Sequence, residues 1–195
     1  MSNACEHSIT PGFGSSGAYA EYIAAPYDHN LVALPDTMSP ALAAGLGCRV
    51  TTAWHALRDR AAVKAGEWLA LRGTGGIGLA TLLLAKPIGA RVIVADVVEE
   101  KLEHNKQLGA DAAVDASAVD AADAIRDITG GGANVSIEAL GIAQTTNASV
   151  ECLATLGRND HVGMPSGDGM MTINMRAIYS KQLSFFGTRG MPSWT

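Results

Sequence analysis

The sequence predicts a doubly wound α/β fold built on a six-stranded parallel sheet, and three observations predict it. From residue 66 onward, apolar runs of strand length alternate with single helical segments, a spacing that implies right-handed crossovers between parallel strands. The runs are continuously apolar rather than alternating, as strands buried on both faces are. The first run leads into Gly73-Thr74-Gly75-Gly76-Ile77-Gly78, a glycine-rich turn between a strand and a helix.

Each element has a local reason. Residues 1–36 read as irregular structure with short strands: a loop over residues 12–17 around Gly12, Gly14 and Gly17, then strand composition over 18–24 and 30–34. Ser39-Pro40 signals a helix start, because Ser caps an N-terminus and Pro suits the first helical position. This helix ends at Gly45 or Gly47, and a second follows Cys48 to about Arg60. Strands are then expected over 67–72, 91–96, 112–114, 134–138, 158–163 and 182–187, with helices over 77–86, 98–108, 119–128 and 145–156. Val119, Ala122, Ile125 and Ile128 carry the helical period of the third of these helices. Gly130, Gly131 and Gly132 end it. Two features run against the pattern. Pro87 sits at the end of helix 77–86, where proline removes a hydrogen bond, and Asn159-Asp160-His161 places β-poor residues in an expected buried strand.

Composition excludes several classes. The 195 residues suffice for one domain or one and a half. With 48% apolar and 17% charged residues, against roughly 25% charged in an average chain, the sequence is not a disordered tail. A net charge of −5 without a basic cluster argues against nucleic acid as a partner. The longest apolar run, residues 77–85, is interrupted by Thr81 and falls short of a membrane span. Residues 1–7 lack the basic and apolar regions of a signal peptide. Three widely spaced cysteines, Cys5, Cys48 and Cys152, fit a reducing compartment and hence a cytoplasmic location.

The glycine turn carries the chemistry. Gly73 makes the tight turn, Gly75 lets the backbone approach a pyrophosphate, and Gly78 lets the helix pack on the strand. The helix N-terminus offers N–H groups and a partial positive charge to the phosphates. Asp96 follows Gly78 by 18 residues, at the end of the second strand, where an acid accepts hydrogen bonds from the adenine ribose. Its carboxylate repels a 2′-phosphate, and Val97 and Val98 supply no cation to hold one, so NAD(H) is expected over NADP(H). A glycine turn with an unrelated surface acid is the simpler alternative. The ordered combination of strand, loop, helix, strand and acid favours the dinucleotide.

With these residues in place, the chain resembles the zinc-dependent alcohol dehydrogenases of the medium-chain dehydrogenase/reductase superfamily. The resemblance is carried by Gly17-Ala18-Tyr19-Ala20-Glu21-Tyr22, Leu34-Pro35-Asp36, Gly47-Cys48-Arg49-Val50-Thr51-Thr52-Ala53-Trp54-His55-Ala56-Leu57 and the glycine loop. It continues through Val94-Ala95-Asp96-Val97-Val98-Glu99-Glu100-Lys101-Leu102, Leu108-Gly109-Ala110-Asp111 and residues 135–141. It implies a Rossmann domain for NAD over 46–195, preceded over 1–45 by the tail of a GroES-like catalytic domain. It implies that Thr74, Gly76 and Ile77 join the three fingerprint glycines around the pyrophosphate, and that Lys101 reaches the ribose. Thr52 matches a position beside the nicotinamide. Val162, Gly163, Met164, Phe186 and Gly187 match backbone contacts to its carboxamide, though ordinary packing at strand ends accounts for those five equally well.

Cys48 matches the family's third catalytic zinc ligand; as a bare residue it reads as a core thiol. The resemblance also marks what is missing. No Gly-His-Glu occurs, and Cys5 matches the last of four cysteines of a structural zinc lobe whose other three are absent from the sequence. The chain therefore reads as a fragment of an enzyme that uses NAD and zinc to interconvert an alcohol and an aldehyde, dimerising through its coenzyme domain. The expectation for this chain is cofactor binding with little or no turnover. A zinc-free quinone or enoyl reductase and a non-catalytic nucleotide-binding remnant are the alternatives.

Overall fold

A computed structural model describes residues 4–13, 15–25, 28 and 31–190. The chain forms helix α1 (Pro40–Leu46) and helix α2 (Arg49–His55), which runs on into a π-helical turn (Ala56–Arg60). Strand β1 (Trp68–Arg72), helix α3 (Gly76–Ile88), strand β2 (Arg91–Asp96), helix α4 (Glu99–Gln107) and strand β3 (Ala112–Asp115) follow. The second half comprises α5 (Ala121–Thr129), β4 (Ala133–Glu138), α6 (Ala143–Glu151), β5 (Leu153–His161), α7 (Met175–Lys181) and β6 (Ser184–Gly187). All six strands pair parallel, in the order β3-β2-β1-β4-β5-β6. The chain winds outward from β1 to β3, then returns to β4 on the other side of β1. That reversal opens a crevice at the carboxyl ends of β1 and β4, where sheets of this kind bind ligands.

The strands are apolar on both faces because helices cover both. On one face Leu69, Leu71, Val92, Val94, Val135 and Ile137 pack against Leu57, Leu82, Ala85 and Leu102 of the α2–α4 side. On the other, Ala70, Ile93, Ala95 and Val114 pack against Ala121, Ala122 and Ile125 of α5. Each fully buried aliphatic side chain contributes about 1.5–3 kcal/mol. Caps fix the helix ends. The Ser39 side chain accepts from the Leu42 N–H, with Pro40 opening α1. The Asp120 carboxylate accepts from the N–H groups of Ala122 and Asp123, and Gly130 ends α5 in the left-handed conformation. Pro87 does not end α3, which runs on to Ile88 before stopping at left-handed Gly89.

The structure corrects several expectations. Residues 18–24 and 31–34 form no strand; Gly14 and Asn30 lie outside the described residues. Strand composition needs a partner ladder, and among the described residues of this segment the pairing is limited to a bridge between Thr10 and Phe13. Tyr19 and Tyr22 are exposed, and no described residue up to 45 is buried. Helix α6 stops at Glu151, and β5 begins at Leu153 instead of 158. A register shift opposite Ala133 and Val135, with Leu156 at φ 61°, lets the strand absorb residues expected to be helical. At its other end β5 stops at His161, because the Val162 and Gly163 N–H groups both turn to the Glu138 carbonyl. Helix α7, capped by the Asn174 side chain on the Ala177 N–H, was not anticipated. Asn159, Asp160 and His161 do form strand, each with one side-chain atom partnered: Ser136 Oγ to Asn159, Thr188 Oγ1 to Asp160, and Glu138 to His161, while Asn159 Nδ2, Asp160 Oδ1 and His161 Nε2 stay unpartnered. Among the described residues no helix is long and apolar enough to cross a membrane.

Candidate functional site

The glycine loop closes on itself through backbone contacts. Gly73 holds φ +82°, a region only glycine enters without strain, and its N–H donates to the Ala95 carbonyl at 3.1 Å. A Cβ on Gly73 would lie 2.5 Å from Leu140 Cδ1. One on Gly78 would fall on the Gly73 carbonyl oxygen. By contrast, the space around Gly75, which caps α3 in extended conformation, is open. The first-turn N–H groups of a helix lack partners within it, so the start of α3 faces the crevice with donors and a partial positive charge.

Asp96 faces this loop from the end of β2. Its Oδ2 accepts from Thr74 N at 2.9 Å and Thr74 Oγ1 at 2.8 Å. Its Oδ1 accepts from Val97 N at 2.9 Å and Val98 N at 3.2 Å. Lys101 Nζ lies 3.8 Å from Oδ2. Burial pushes the carboxyl up, but the Thr74 hydrogen bonds, Lys101 and the Val97 N–H together hold it below the usual carboxylate range. Gly73 to Gly78, Asp96 and Lys101 are thus brought together.

Beside Asp96 opens a cavity of about 410 Å³, with apolar walls from Val97, Val119, Leu140 and Ile142. Its lining includes Arg72, at the end of β1 and only 3% exposed. Sequence reasoning passed over Arg72, Leu140 and Ile142. The apolar pair directly after β4 was the available signal; for Arg72 there was only a charge at the end of an apolar strand. Glu138 was also missed. Fully buried, it accepts from the N–H groups of Leu140 and Gly141 and from Thr145 Oγ1 at 2.7 Å, and so shapes the turn after β4.

The remaining predicted residues lie on α2, directly after β5 and on β6. Cys48 is exposed at the cap of α2, which corrects its reading as a core thiol. Thr52 is buried one turn on. Arg49, between them in sequence, lays its side chain across Gly76, where an added Cβ would lie 2.5 Å from Arg49 Cδ. Gly163 packs so tightly on the loop after β4 that a Cβ there would strike the Gly141 nitrogen. Val162 is buried and Met164 exposed. Phe186 and Gly187 pair with Asp160 and His161 at the sheet edge, and the Arg60 guanidinium stacks 5.4 Å from the Phe186 ring. His55 pairs with Asp59 at 2.8 Å.

The described residues do not fit a zinc ion. Among those described, no group of three His, Cys, Asp or Glu side chains could hold a metal, whereas a catalytic zinc wants three protein ligands. The dinucleotide does fit: the glycine cradle, the acid at the end of β2 and the apolar cavity are contiguous.

Comparisons with known proteins agree with this geometry. Residues 76–194 match the model of the zinc-binding dehydrogenases. An alcohol dehydrogenase of Geobacillus stearothermophilus is 34% identical over 84% of this chain and 48% of its own length. A D-arabitol-phosphate dehydrogenase of Enterococcus avium is 30% identical over 96% of this chain and 53% of its own. The solved structure of an NAD-dependent alcohol dehydrogenase superposes with a TM-score of 0.89 at 30% identity, covering 98% of this chain and 55% of that one. The chain spans about half the length of these relatives.

Proposed function

The chain belongs to the zinc-binding dehydrogenase family, and we propose that it is the NAD(H)-binding part of an alcohol dehydrogenase that moves a hydride between an alcohol/aldehyde pair and nicotinamide. The observation that carries this reading is Asp96, a carboxylate at the end of β2 held against the glycine loop by Thr74. Bound NAD would supply the hydride acceptor. The α3 N-terminus and the Arg49 guanidinium offer positive charge to the pyrophosphate. Asp96 and Lys101 bind the adenine ribose, and the Asp96 carboxylate excludes a 2′-phosphate. Thr52, Val162, Gly163, Met164, Phe186 and Gly187 position the nicotinamide.

Cys48 is read as one ligand of the family's zinc site, which this chain does not complete among its described residues. Residues 1–45 belong with the substrate domain and 46–195 with the coenzyme domain; residues 191–195 lie outside the described structure. Chains pair through the coenzyme domain, for which β6, at the sheet edge with Phe185 partly exposed, offers the open ladder. Unpaired cysteines favour the cytoplasm.

Calorimetric titration of the purified chain with NADH and with NADPH tests the reading. NADH should bind well ahead of NADPH, with little or no alcohol turnover by the chain alone. NADPH binding as tightly as NADH would overturn it in favour of a zinc-free reductase, and binding of neither would overturn it altogether.

A further inference from the structure

Helix α2 does not end in a regular turn. It runs on into the π-helical turn Ala56–Arg60, closed by the Ala61 N–H, which donates to the Ala56 carbonyl five residues back at 2.8 Å. Single π-helical turns are rare and occur frequently at functional sites. Just beyond it Ala62 holds φ 47°, a left-handed conformation that a residue with a Cβ enters at a cost. This exit delivers Arg60 to the edge of the sheet. The guanidinium Cζ lies 5.4 Å from the centre of the Phe186 ring, and Nη2 donates to the Gly187 carbonyl at 3.3 Å. Nε is closed in without a partner, a further cost. Strand β6, which carries Phe186 and Gly187, is paired on one side only, by β5, so Arg60 adds a second tether to it. Arg60 and Gly187 also share a cavity of about 530 Å³ with His55, which lies one turn past Thr52 on α2.

We propose that Arg60 is a positioning residue for the nicotinamide end of the coenzyme: placed by the π-helical turn, it fixes the Phe186 ring and the Gly187 carbonyl, and through them the nicotinamide. This rests on the reading of Phe186 and Gly187 as nicotinamide contacts given above. Two unfavourable backbone features and an unpaired donor are kept where one side chain reaches both residues, and the reach of that side chain is what they have in common. Arg60 itself touches no coenzyme atom in this account. A cation over an aromatic ring, or one hydrogen bond from a charged donor, is worth about three- to tenfold in affinity.

The test compares wild type with Arg60→Gln and Arg60→Lys, each titrated with NADH and with ADP-ribose, which lacks the nicotinamide. Arg60→Gln should weaken NADH about three- to tenfold and leave ADP-ribose within about twofold of wild type, a split that a merely structural role would not produce. The fluorescence of bound NADH, which reports the surroundings of the nicotinamide ring, should move toward that of free NADH. Arg60→Lys keeps the charge and loses the planar fork, so it should recover part of the loss. Should Arg60→Gln not fold, Arg60→Lys decides by the same split. Two results would overturn the proposal while the dinucleotide reading stands: NADH affinity and emission unchanged in the variants, or NADH and ADP-ribose weakened in equal measure, which would make Arg60 a structural group. If wild type binds neither ligand, both fail.

Discussion

Thr74 gives both its N–H and its hydroxyl to one oxygen of Asp96, at 2.9 and 2.8 Å. The acid proposed to bind the ribose is therefore also the clamp on the second residue of the glycine loop. Its carboxyl lies below the usual range because these bonds and Lys101 outweigh the effect of burial. With a depressed folded value, ionised Asp96 stabilises the fold above the unfolded pKa of about 3.9, and that contribution is lost as pH falls through the folded value. Asp96→Asn should weaken NADH about ten- to a hundredfold and narrow its advantage over NADPH. Titration of the variant with both coenzymes checks this; an unchanged preference would remove Asp96 from the ribose site.

The glycines of the loop separate into two kinds. Gly78→Ala places a methyl on the Gly73 carbonyl, and overpacking of this kind destabilises by about 1–3 kcal/mol. Its melting temperature should drop and coenzyme binding should go with it. Gly75→Ala meets nothing within 4 Å, so its melting temperature should hold while NADH affinity falls, because the open space there is proposed to take the pyrophosphate. Thermal melts paired with NADH titrations distinguish the two. Equal losses of stability would show that both glycines serve the fold alone.

The sheet was legible because its strands are buried on both faces, which leaves runs such as Val92-Ile93-Val94-Ala95 with no polar residue. The loop and Asp96 were legible because backbone crowding at Gly78 and an acid at a strand end leave a fixed spacing in the chain. Other features depend on what packs across the fold, and spacing does not record that. The composition of residues 18–24 looked like strand, yet among the described residues no neighbouring ladder meets it. The start of β5 was hidden by the turn at Leu156, which a sequence pattern reads as helix. Arg72 and Arg49 gained their places only when the cavity formed and α2 came to lie on the glycine loop.

Arg49 gives a prediction with a salt signature. Its side chain lies over Gly76 at the start of α3, where the proposed pyrophosphate sits. Arg49→Ala should weaken NADH about tenfold at low ionic strength, and the difference from wild type should shrink as salt rises, since exposed charges are screened over about 10 Å at 0.1 M. NADH titrations between low and high salt read this directly. A salt-independent loss would indicate lost packing against the loop rather than charge.

Asp160 works in the opposite sense to Asp96. It is fully buried on β5, with Oδ2 accepting from Thr188 Oγ1 at 2.8 Å and Oδ1 unpartnered. Burial pushes its carboxyl up to about 6, against the pull of Thr188, Arg60 and the neighbouring histidines His55 and His161. Between about pH 4 and pH 6 the folded chain keeps a proton that the unfolded chain has released. Stability therefore falls as pH rises through that window and stays reduced above it. A rise of about two units corresponds to something on the order of 2–3 kcal/mol at neutral pH. Asp160→Asn keeps the acceptor for Thr188 and removes the charge, so it should melt higher than wild type at pH 7.5, with the difference shrinking toward pH 4. Thermal melts of both chains across this range test the argument, and parallel pH profiles would show that Asp160 keeps its charge in the fold at no cost to stability.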